Sequence, residues 1–479
     1  MTSPRPSKLT VIKHSERDKI TVTAPFDGSE IATLDAANSA DVEKALSTAY
    51  DLFNDKSKWL SASQRIDILN KTATLMREQF DELVVVAAGE GGKPLIDSRV
   101  EVERAIDGVL NCIECIRTDH GTEIPMGINP SSEKHMAFTR SEPIGVVVAI
   151  SAFNHPLNLI IHQVGPAIAT GCPVIIKPAE DTQLSCYRFI SILREAGLPE
   201  EWCQALVVSD LEVATQLVTD SRVGFFSFIG SANVGWMLRS KLAPGARCAL
   251  EHGGVAPVII AADADLIEAL PAIAKGGFYH SEQVCVSVQR VYCHKSVVKV
   301  VSSNLAKMAD KLIVGDPINP ATEVGPLIRS LEVQRISKWV NDAIKEGAEL
   351  LAGGKADGNC YQPTVLLNPS ELSTVSTKEI FGPVICIYTY DNIDNAIKKA
   401  NALPFAFQAS IFTKNIDNAL HAYKQLNAIA VMVNDHTAFR VDWMPFAGLR
   451  HSGLGVGSIP HTYHDMQIKK MMVLKSNKI

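Results

Sequence analysis

The chain has no hydrophobic segment long enough to cross a membrane. Its longest apolar run, residues 144–153, is about half the length of the roughly 20 residues that a transmembrane helix needs. The first eight residues also precede no apolar core of the kind that marks a secretory signal. From these two absences we expect a soluble protein of the cytoplasm.

The chain also lacks a cluster of Lys and Arg residues. Its formal net charge is -6 and its sequence pI is about 6.1. A nucleic-acid surface needs a basic patch that attracts phosphates, so this composition argues against that class of partner. Small molecules are the expected partners instead.

Cysteine is too sparse to form a dense disulfide framework. Ten cysteines are spread over 479 residues, and most lie in apolar sequence, so we expect reduced thiols. Cys112 and Cys115 are the one pair with metal-ligand spacing. No second pair matches them, and they fall inside a helical pattern, which favours a core position over a zinc site. No metal is expected.

The length and composition indicate a globular protein of several units. Hydrophobic residues make up 46% of the chain and charged residues 20%. A prior of roughly 150 residues per domain suggests about three units. The first region is mostly helical, with a helix that Ser39 caps and further helices at about 63–86 and 98–117. Residues 121–134 are rich in Gly, Pro, Asn and Ser and predict an excursion from the main body.

From residue 143 onward, apolar runs alternate with helical patterns. The runs are 145–150, 174–177, 205–208 and 224–228, and the helices between them are 156–170, 185–196 and 211–219. Strands that are apolar throughout and separated by helices indicate a parallel sheet covered on both faces. This is an α/β architecture of the nucleotide-binding type, whose ligands lie at the carboxyl ends of the strands.

Two of these strand ends carry residues suited to a nucleotide. Gly230, Ser231 and Gly235 follow a strand and open a helix, which would direct backbone N–H groups at a phosphate. The spacing is not the usual dinucleotide fingerprint, so this signal is weak by itself. Lys177 and Glu180 follow another strand and could hold ribose hydroxyls.

Cys285 stands out as a candidate nucleophile. It follows the small, flexible approach of Gly276 and Gly277, and a positioned thiol is sufficient for covalent chemistry on an aldehyde or ester. The alternative for any single cysteine is a buried core position. The other motifs of the chain favour the nucleophile.

Together, seven motifs in order make the chain resemble the aldehyde dehydrogenase superfamily over nearly its whole length. They are PIGVV (143–147), NHP (154–156), KPAE (177–180), EHGG (251–254), QVC (283–285), EIFGP (379–383) and PFAG (445–448). The resemblance implies a Rossmann-like cofactor domain, an α/β catalytic domain and a small β oligomerisation arm. It places the dinucleotide-binding domain at 1–120 and 141–252, the catalytic domain at 253–455, and the arm at 121–140 and 456–479.

The same resemblance implies a covalent mechanism. Cys285 would attack the aldehyde carbon to form a thiohemiacetal, whose oxyanion is stabilised by the Asn154 side chain and the Cys285 backbone N–H. Hydride transfer to the nicotinamide would then leave a thioester. Glu251 would activate the water that hydrolyses this thioester to the carboxylic acid.

The family pattern also assigns residues to the cofactor. Lys177 and Glu180 would bind the adenosine ribose, and Ser231, within the turn from Gly230 to Gly235, the pyrophosphate. Glu379 would bind the nicotinamide ribose, with Phe381 packed nearby. A carboxylate such as Glu180 accepts a hydrogen bond from a ribose hydroxyl but repels a 2'-phosphate, so we expect NAD rather than NADP.

Four residues are expected to contact the substrate, namely His155, His162, Arg440 and Phe446. Buried polar groups carry a desolvation penalty unless something pairs with them, which favours a small polar aldehyde with a hydroxyl or one acidic group. Arg440 can hold an acidic group through two parallel hydrogen bonds. The alternative is that Arg440 pairs with a carboxylate of the protein, such as Asp442, while backbone groups satisfy the histidines.

Two departures from the family pattern leave other functions open. Glu282 replaces a usual glycine three residues before the nucleophile, where its carboxylate could raise the thiol pKa, and His252 replaces a usual leucine. The alternatives are a catalytically impaired NAD-binding member, a coenzyme-A-acylating dehydrogenase, or a cysteine hydrolase. We also expect a homodimer or homotetramer, because the terminal strand within 464–474 is unsuited to remain an unpaired edge.

Overall fold

The computed structural model describes residues 18–479, so the stretch in which no secretory signal is expected lies outside the described residues. The strands are β1 (Lys19–Thr23), β2 (Glu30–Asp35), β3 (Glu123–Ile124), β4 (His135–Pro143), β5 (Val146–Ile150), β6 (Val174–Lys177), β7 (Cys203–Ala205), β8 (Val223–Ile229), β9 (Arg247–Glu251), β10 (Pro257–Ile260), β11 (Arg290–His294), β12 (Glu349–Ala352), β13 (Ala356–Asp357), β14 (Cys360–Tyr361), β15 (Thr364–Leu367), β16 (Val384–Tyr390), β17 (Phe405–Ala406), β18 (Gln408–Phe412), β19 (Ala430–Val433), β20 (Leu449–Arg450), β21 (Gly453–Leu454) and β22 (Gln467–Lys475). The α-helices are α1 (Ser39–Asn54), α2 (Ala62–Glu78), α3 (Phe80–Gly91), α4 (Leu95–Thr118), α5 (Asn158–Thr170), α6 (Leu184–Glu195), α7 (Leu211–Thr219), α8 (Ala232–Arg239), α9 (Leu266–Phe278), α10 (Val298–Ala309), α11 (Ser330–Lys345), α12 (Thr374–Thr377), α13 (Ile393–Ala400), α14 (Ile416–Gln425) and α15 (Ile459–Asp465).

The first large sheet has the order β21-β9-β8-β5-β6-β7 and is parallel except for β21. Its strands are apolar because helices cover both faces. One face packs on α2, α4, α5 and α6, and the other packs on α1, α7 and α8. The predicted parallel α/β arrangement is confirmed. The register pairs Ile150 with Lys177 and Ile229 with Glu251, so the carboxyl ends of these strands meet along one edge.

The second large sheet has the order β12-β15-β16-β11-β10-β18-β19, and only β12 runs antiparallel to its neighbour. Apolar residues fill the space on both of its faces. This sheet presents its amino ends to the first one, because Cys285 precedes β11 and Glu379 precedes β16. The cleft between the two sheets is thus built from carboxyl ends on one side and amino ends on the other.

A third, antiparallel sheet has the order β22-β4-β3. Its strands run to Pro143 and Lys475, and Met471, Met472 and Val473 on β22 are about half exposed. Between the second sheet and this third sheet the chain returns to the first sheet, where β21 pairs with β9 and α15 packs into the core. The predicted ranges 253–455 and 456–479 therefore both include residues that belong to the first unit by packing.

Two details of the helical region differ from the sequence prediction. Asn38, rather than Ser39, caps α1, and Asp41 completes a capping box with it. The helix predicted at 63–86 is two helices that separate at Gln79. No Gly or Pro marks that break, and the buried Met76 and Leu83 on either side of it are seven residues apart, a spacing that a continuous helix would also give, so the sequence pattern could not reveal it. Within residues 18–479, no helix combines the length and apolar character needed to traverse a bilayer.

Candidate active site

A cavity of about 570 Å³ lies between the facing edges of the two large sheets. Its wall contains twelve of the fourteen residues that the sequence assigns to catalysis, cofactor or substrate: Asn154, His155, Lys177, Glu180, Gly230, Ser231, Glu251, Cys285, Glu379, Phe381, Arg440 and Phe446. Gly235 and His162 are not part of that wall in the described structure. The fold thus brings residues from distant parts of the sequence to one place.

Cys285 lies on an irregular segment that precedes β11. Three consecutive residues, His280, Ser281 and Glu282, have φ angles of 47°, 53° and 58°, a left-handed conformation that is costly for residues other than glycine. This segment turns the chain so that Cys285 packs beside Phe407 and Phe446. Burial raises the pKa of the Cys285 thiol to about 12, and the Glu379 carboxylate adds to the rise while Arg440 opposes it.

Glu282 does not direct its carboxylate at the nucleophile. Its Oε2 accepts a hydrogen bond of 2.7 Å from the Val384 backbone N–H at the start of β16. The Glu282 side chain is fully buried, and burial raises its pKa well above the usual range. The carboxylates that act on Cys285 are instead Glu379 and Glu251. Glu282 therefore does not raise the thiol pKa as expected from the sequence, and its carboxylate instead binds the backbone at the start of β16.

Glu251 ends β9 and faces the cavity. Burial raises the pKa of its carboxyl, and the positive charge of Arg440 opposes this rise. The carboxylate lies against Gly457, where an added Cβ would stand 1.9 Å from Oε1. A side chain at residue 457 would therefore displace Glu251.

Asn154 lies in the loop between β5 and α5 and is buried. Its Nδ2 donates a hydrogen bond of 2.8 Å to the Gln283 carbonyl, two residues before Cys285. An asparagine amide carries two N–H groups, so the second remains available to an oxygen in the cavity. The loop that holds the nucleophile and the loop that holds the amide donor are thus directly joined.

The far end of the cleft carries paired charges, of which Lys177 is buried and Glu180 and Arg329 are exposed. Lys177 ends β6, and its Nζ lies 3.7 Å from Oε1 of Glu180, which is 49% exposed. Burial lowers the pKa of Lys177, and Glu180 opposes this shift. Next to them, the Arg329 Nε donates to Asp181 across the cleft at 2.9 Å. This end of the site is polar and open to solvent.

The glycine turn after β8 has two different uses. Ser231 is exposed at the N-cap of α8, and its side chain makes no capping hydrogen bond in the described structure. Gly235 instead makes room for His252, because a Cβ there would stand 2.0 Å from the His252 Cε1. The His252 Nδ1 lies 2.9 Å from the Gly230 carbonyl. Gly235, predicted to bind cofactor, is thus required by packing behind the turn.

Glu379 offers the clearest vacant acceptor in the cavity. Its Oε1 is buried and has no hydrogen-bond partner among residues 18–479. Burial raises its pKa to about 8. Gly253 must be glycine here, since a Cβ would stand 1.7 Å from that oxygen. Phe381 lies beside it with a φ of 52° and meets the Phe153 ring edge-on at 5.8 Å. A carboxylate beside two aromatic rings fits a ribose with an attached planar base.

Arg440 projects between Phe446 and His162. Its guanidinium carbon lies 3.4 Å from the centre of the Phe446 ring, and Nη2 lies 3.4 Å from the His162 Nδ1. Its Nε is buried and has no partner in the described part of the chain. Burial lowers the Arg440 pKa, and Glu251 opposes this shift. A substrate anion could therefore still use this guanidinium.

The alternative pairing of Arg440 with Asp442 is absent from the described structure. Asp442 accepts two hydrogen bonds from Arg104, of 3.0 and 2.7 Å, and its Oδ1 also lies 2.7 Å from the His162 Nε2. Both ring nitrogens of His162 therefore face protein groups. His162, predicted to touch substrate, instead lies behind Arg440.

His155 and several unpredicted residues complete the wall. The His155 Nε2 lies 3.1 Å from the Tyr279 hydroxyl, and burial lowers its pKa well below the usual range. Arg104 was missed, although a charge beside Val102 and Ala105 on an apolar helix face is a signal for it. Arg335 was also missed, and its Nη2 donates to the Ile380 carbonyl next to Glu379. Among residues 18–479, no group of three or more His, Cys, Asp or Glu side chains is placed to hold a metal ion.

Comparison with known proteins gives one consistent family. The model of the aldehyde dehydrogenase family matches residues 12–472. A 3-sulfolactaldehyde dehydrogenase of Priestia aryabhattai is 36% identical over 457 residues, covering 95% of each chain. The structure of aldehyde dehydrogenase 21 from Physcomitrella patens, in complex with the reaction product succinate, superposes with a TM-score of 0.93 at 31% identity and covers 97% of this chain and 96% of that one. A glyceraldehyde-3-phosphate dehydrogenase from Methanocaldococcus jannaschii, complexed with NADP, gives a TM-score of 0.92 at 32% identity and covers 97% and 100%.

Proposed function

Because the chain belongs to the aldehyde dehydrogenase family and is an oxidoreductase that acts on aldehydes, we propose that it oxidises a small polar aldehyde with NAD. The aldehyde carries a hydroxyl or one acidic group, and the product is the carboxylic acid. The observation that supports this most strongly is the placement of Cys285, Glu251 and an incompletely paired Arg440 in one cavity.

The first step forms a bond between the Cys285 sulfur and the aldehyde carbon. The electron pair of the carbonyl moves onto oxygen, and the free N–H of Asn154 and the Cys285 backbone N–H stabilise the resulting oxyanion. Because the thiol pKa is about 12, the proton must first pass to a base. Glu251, whose pKa is raised by burial, is the carboxylate we assign to accept it.

The second half of the reaction releases the acid. After Glu251 has released the thiol proton to solvent, it takes a proton from water, and the hydroxyl adds to the thioester carbon. The bond to the Cys285 sulfur then breaks, and the sulfur leaves with the electron pair and regains a proton from Glu251. A carboxylate of raised pKa is a stronger base than an exposed one, which suits this role. The chain contains this carboxylate, which favours hydrolysis over transfer to coenzyme A. A strict requirement for coenzyme A would contradict this choice.

The family's reaction uses a nicotinamide cofactor, which when bound supplies the acceptor for the hydride of the thiohemiacetal carbon. Glu379 would hold the nicotinamide ribose through its vacant oxygen, beside Phe381. Ser231 would meet the pyrophosphate, and Lys177 and Glu180 the adenosine ribose. Glu180 is half exposed and available to a 2'-hydroxyl, which supports the choice of NAD over NADP.

Arg440 supports the substrate class. His162 gives it a neutral acceptor, while Asp442 is already engaged by Arg104 and His162. The Arg440 charge is therefore balanced within the cavity mainly by Glu251, and a substrate carboxylate or sulfonate could bind its remaining N–H groups. His155 and Phe446 would form the adjoining walls.

Initial rates with NAD test the proposal. The panel compares aldehydes of matched length that carry no substituent, a hydroxyl, a carboxylate or a sulfonate. We expect the highest kcat/KM for a hydroxylated or acidic member. Better turnover of unsubstituted aliphatic or aromatic aldehydes would contradict the substrate class, and no reduction of NAD with any member would contradict catalysis itself.

We also propose a homodimer or homotetramer located in the cytoplasm. The exposed Met471, Met472 and Val473 on β22 support an arm that pairs with another copy. Sedimentation at micromolar concentration tests this assembly. A stable, active monomer would contradict it.

A further inference from the structure

A buried ion pair lies next to the loop of Asn154 and takes no part in the chemistry above. The Lys93 Nζ is 2.5 Å from Oε2 of Glu101, and neither side chain has any exposed surface. Burying two charges is costly unless further hydrogen bonds satisfy them. The second Glu101 oxygen shows where those hydrogen bonds come from.

Oε1 of Glu101 accepts hydrogen bonds from the backbone N–H groups of Leu157 and Asn158, at 2.9 and 3.1 Å. These groups open α5, and Leu157 at its N-cap makes no side-chain cap in the described structure. Free N–H groups at a helix start need an acceptor and favour a negative charge. Glu101 therefore caps α5 from another helix, α4.

The capped residues follow Asn154 by three and four positions. Asn154 in turn donates to the Gln283 carbonyl at 2.8 Å, two residues before Cys285. A continuous set of contacts thus runs from Lys93 through Glu101 and the start of α5 to the loop of the nucleophile. We propose that Glu101, held by Lys93, is a positioning residue that fixes the Asn154 amide for the oxyanion. This rests on the oxyanion role assigned to Asn154 under the proposed function.

The chain offers a matched control in Glu90. It is equally buried, and its carboxylate accepts from the backbone N–H groups of Leu184 and Ser185 at 2.6 and 2.8 Å, at the start of α6. No residue of α6 lines the cavity in the described structure. Glu90 and Glu101 therefore cap helices in the same way, but α6 follows Glu180 at the solvent-open end of the cavity, whereas α5 follows Asn154, which is joined to the loop of Cys285.

The test is a double-mutant cycle on the full-length enzyme. Glu101→Gln should lower kcat about ten- to a hundredfold, because small misplacements of a reacting group cost that much. In the Asn154→Ala background, Glu101→Gln should change kcat by less than about twofold, since the group it positions is gone. The dissociation constant for NAD, measured by equilibrium binding, should hold in the Glu101 and Asn154 variants, and kcat is measured at saturating NAD in every variant. Glu90→Gln should lower the Tm comparably and leave kcat within about twofold.

Different outcomes separate the two claims. If Asn154→Ala retains full kcat, the proposed oxyanion role fails. If Asn154→Ala loses activity but Glu101→Gln lowers kcat by the same factor in the Asn154→Ala background as in the wild type, the positioning role is overturned. It is also overturned if Glu90→Gln lowers kcat as much as Glu101→Gln does. If Glu101→Gln does not fold, the double variant Lys93→Met with Glu101→Gln takes its place, because it removes both buried charges together. The same cycle and the same criteria then apply to that double variant.

Discussion

The charged side chains at the two ends of the cleft differ in burial and in pairing. At the reacting end, Glu251, Glu379 and Arg440 are half-buried in the cavity, and Glu379 and Arg440 each keep a buried atom without a partner in the described structure. At the far end, Glu180 and Arg329 are 49% and 52% exposed and each has an opposite charge nearby. Buried groups with incomplete pairing have strongly shifted pKa values, whereas exposed ion pairs contribute little energy.

This difference in exposure separates the residues proposed to react from those proposed to select the cofactor. The groups that we propose to exchange protons or hold a developing charge are half-buried, where the surrounding protein reduces screening by water. Glu180, which we propose to recognise the adenosine ribose, remains solvated, and its expected effect is a preference between similar cofactors. Substitutions should therefore lower turnover by orders of magnitude at the first end and change cofactor choice modestly at the second.

The largest effect is expected from Cys285→Ser. Loss of the thiol removes the covalent intermediate and should lower kcat by at least about four powers of ten. NAD binding, followed by equilibrium titration, should be unchanged. Cys360→Ala removes another buried cysteine outside the cavity and should retain activity. Substantial NAD-dependent turnover by Cys285→Ser would contradict the assignment of the nucleophile.

Glu251→Gln should be next in size. Without the base, hydrolysis of the thioester slows, and we expect kcat to fall by about two to four powers of ten. Rapid mixing measures NAD reduction in the first turnover and in the steady state separately. A first turnover that is kept while later turnovers slow would place Glu251 in the release step. Equal loss in both phases would assign its main role to deprotonation of Cys285.

Arg440→Met should affect the substrate rather than the cofactor. We expect kcat/KM for the preferred acidic or hydroxylated aldehyde to fall by about one to three powers of ten, while the KM for NAD holds. Arg440→Lys keeps the charge but loses the planar pair of hydrogen-bond donors, so its kcat/KM should lie between the values of the wild type and Arg440→Met. An equal loss for polar and unsubstituted aldehydes would indicate that Arg440 only supports the fold.

The raised thiol pKa predicts a pH dependence. Because the pKa of Cys285 is about 12, the thiolate fraction of the free enzyme should rise about tenfold per pH unit through neutrality and up to pH 9. Alkylation of Cys285 by iodoacetamide, read by mass spectrometry, should accelerate accordingly. A rate that levels off near pH 7 would show a thiol of low pKa and contradict this environment.

The smallest effect is expected at the solvated end. Glu180→Gln removes a charge that repels a 2'-phosphate, and the ratio of kcat/KM for NADP to that for NAD should rise about tenfold. Glu195→Gln, on the surface of α6, should leave that ratio unchanged. A wild-type enzyme that prefers NADP would overturn the cofactor proposal before any variant is made.

The sequence predicted the first sheet well because each of its strands is apolar throughout and is separated from the next by a helix. The rule that ligands bind at the carboxyl ends of parallel strands could not predict the position of Cys285, which lies at an amino end of the second sheet. The roles of His162 and Gly235 also required the structure. Spacing along the chain places both near the site, yet Asp442 and His252, which decide their contacts, are distant in sequence.

The most direct measurement of the central claim is intact and peptide mass spectrometry of Glu251→Gln after reaction with NAD and the preferred aldehyde. The account predicts that Glu251→Gln slows hydrolysis more than formation of the thioester, so that the acyl group of the product accumulates on the peptide containing Cys285, whereas the wild-type enzyme and Cys285→Ser carry none at the same time point. Accumulation on a different residue, or reduction of NAD by Glu251→Gln with no adduct in the first turnover, would contradict a covalent intermediate at Cys285.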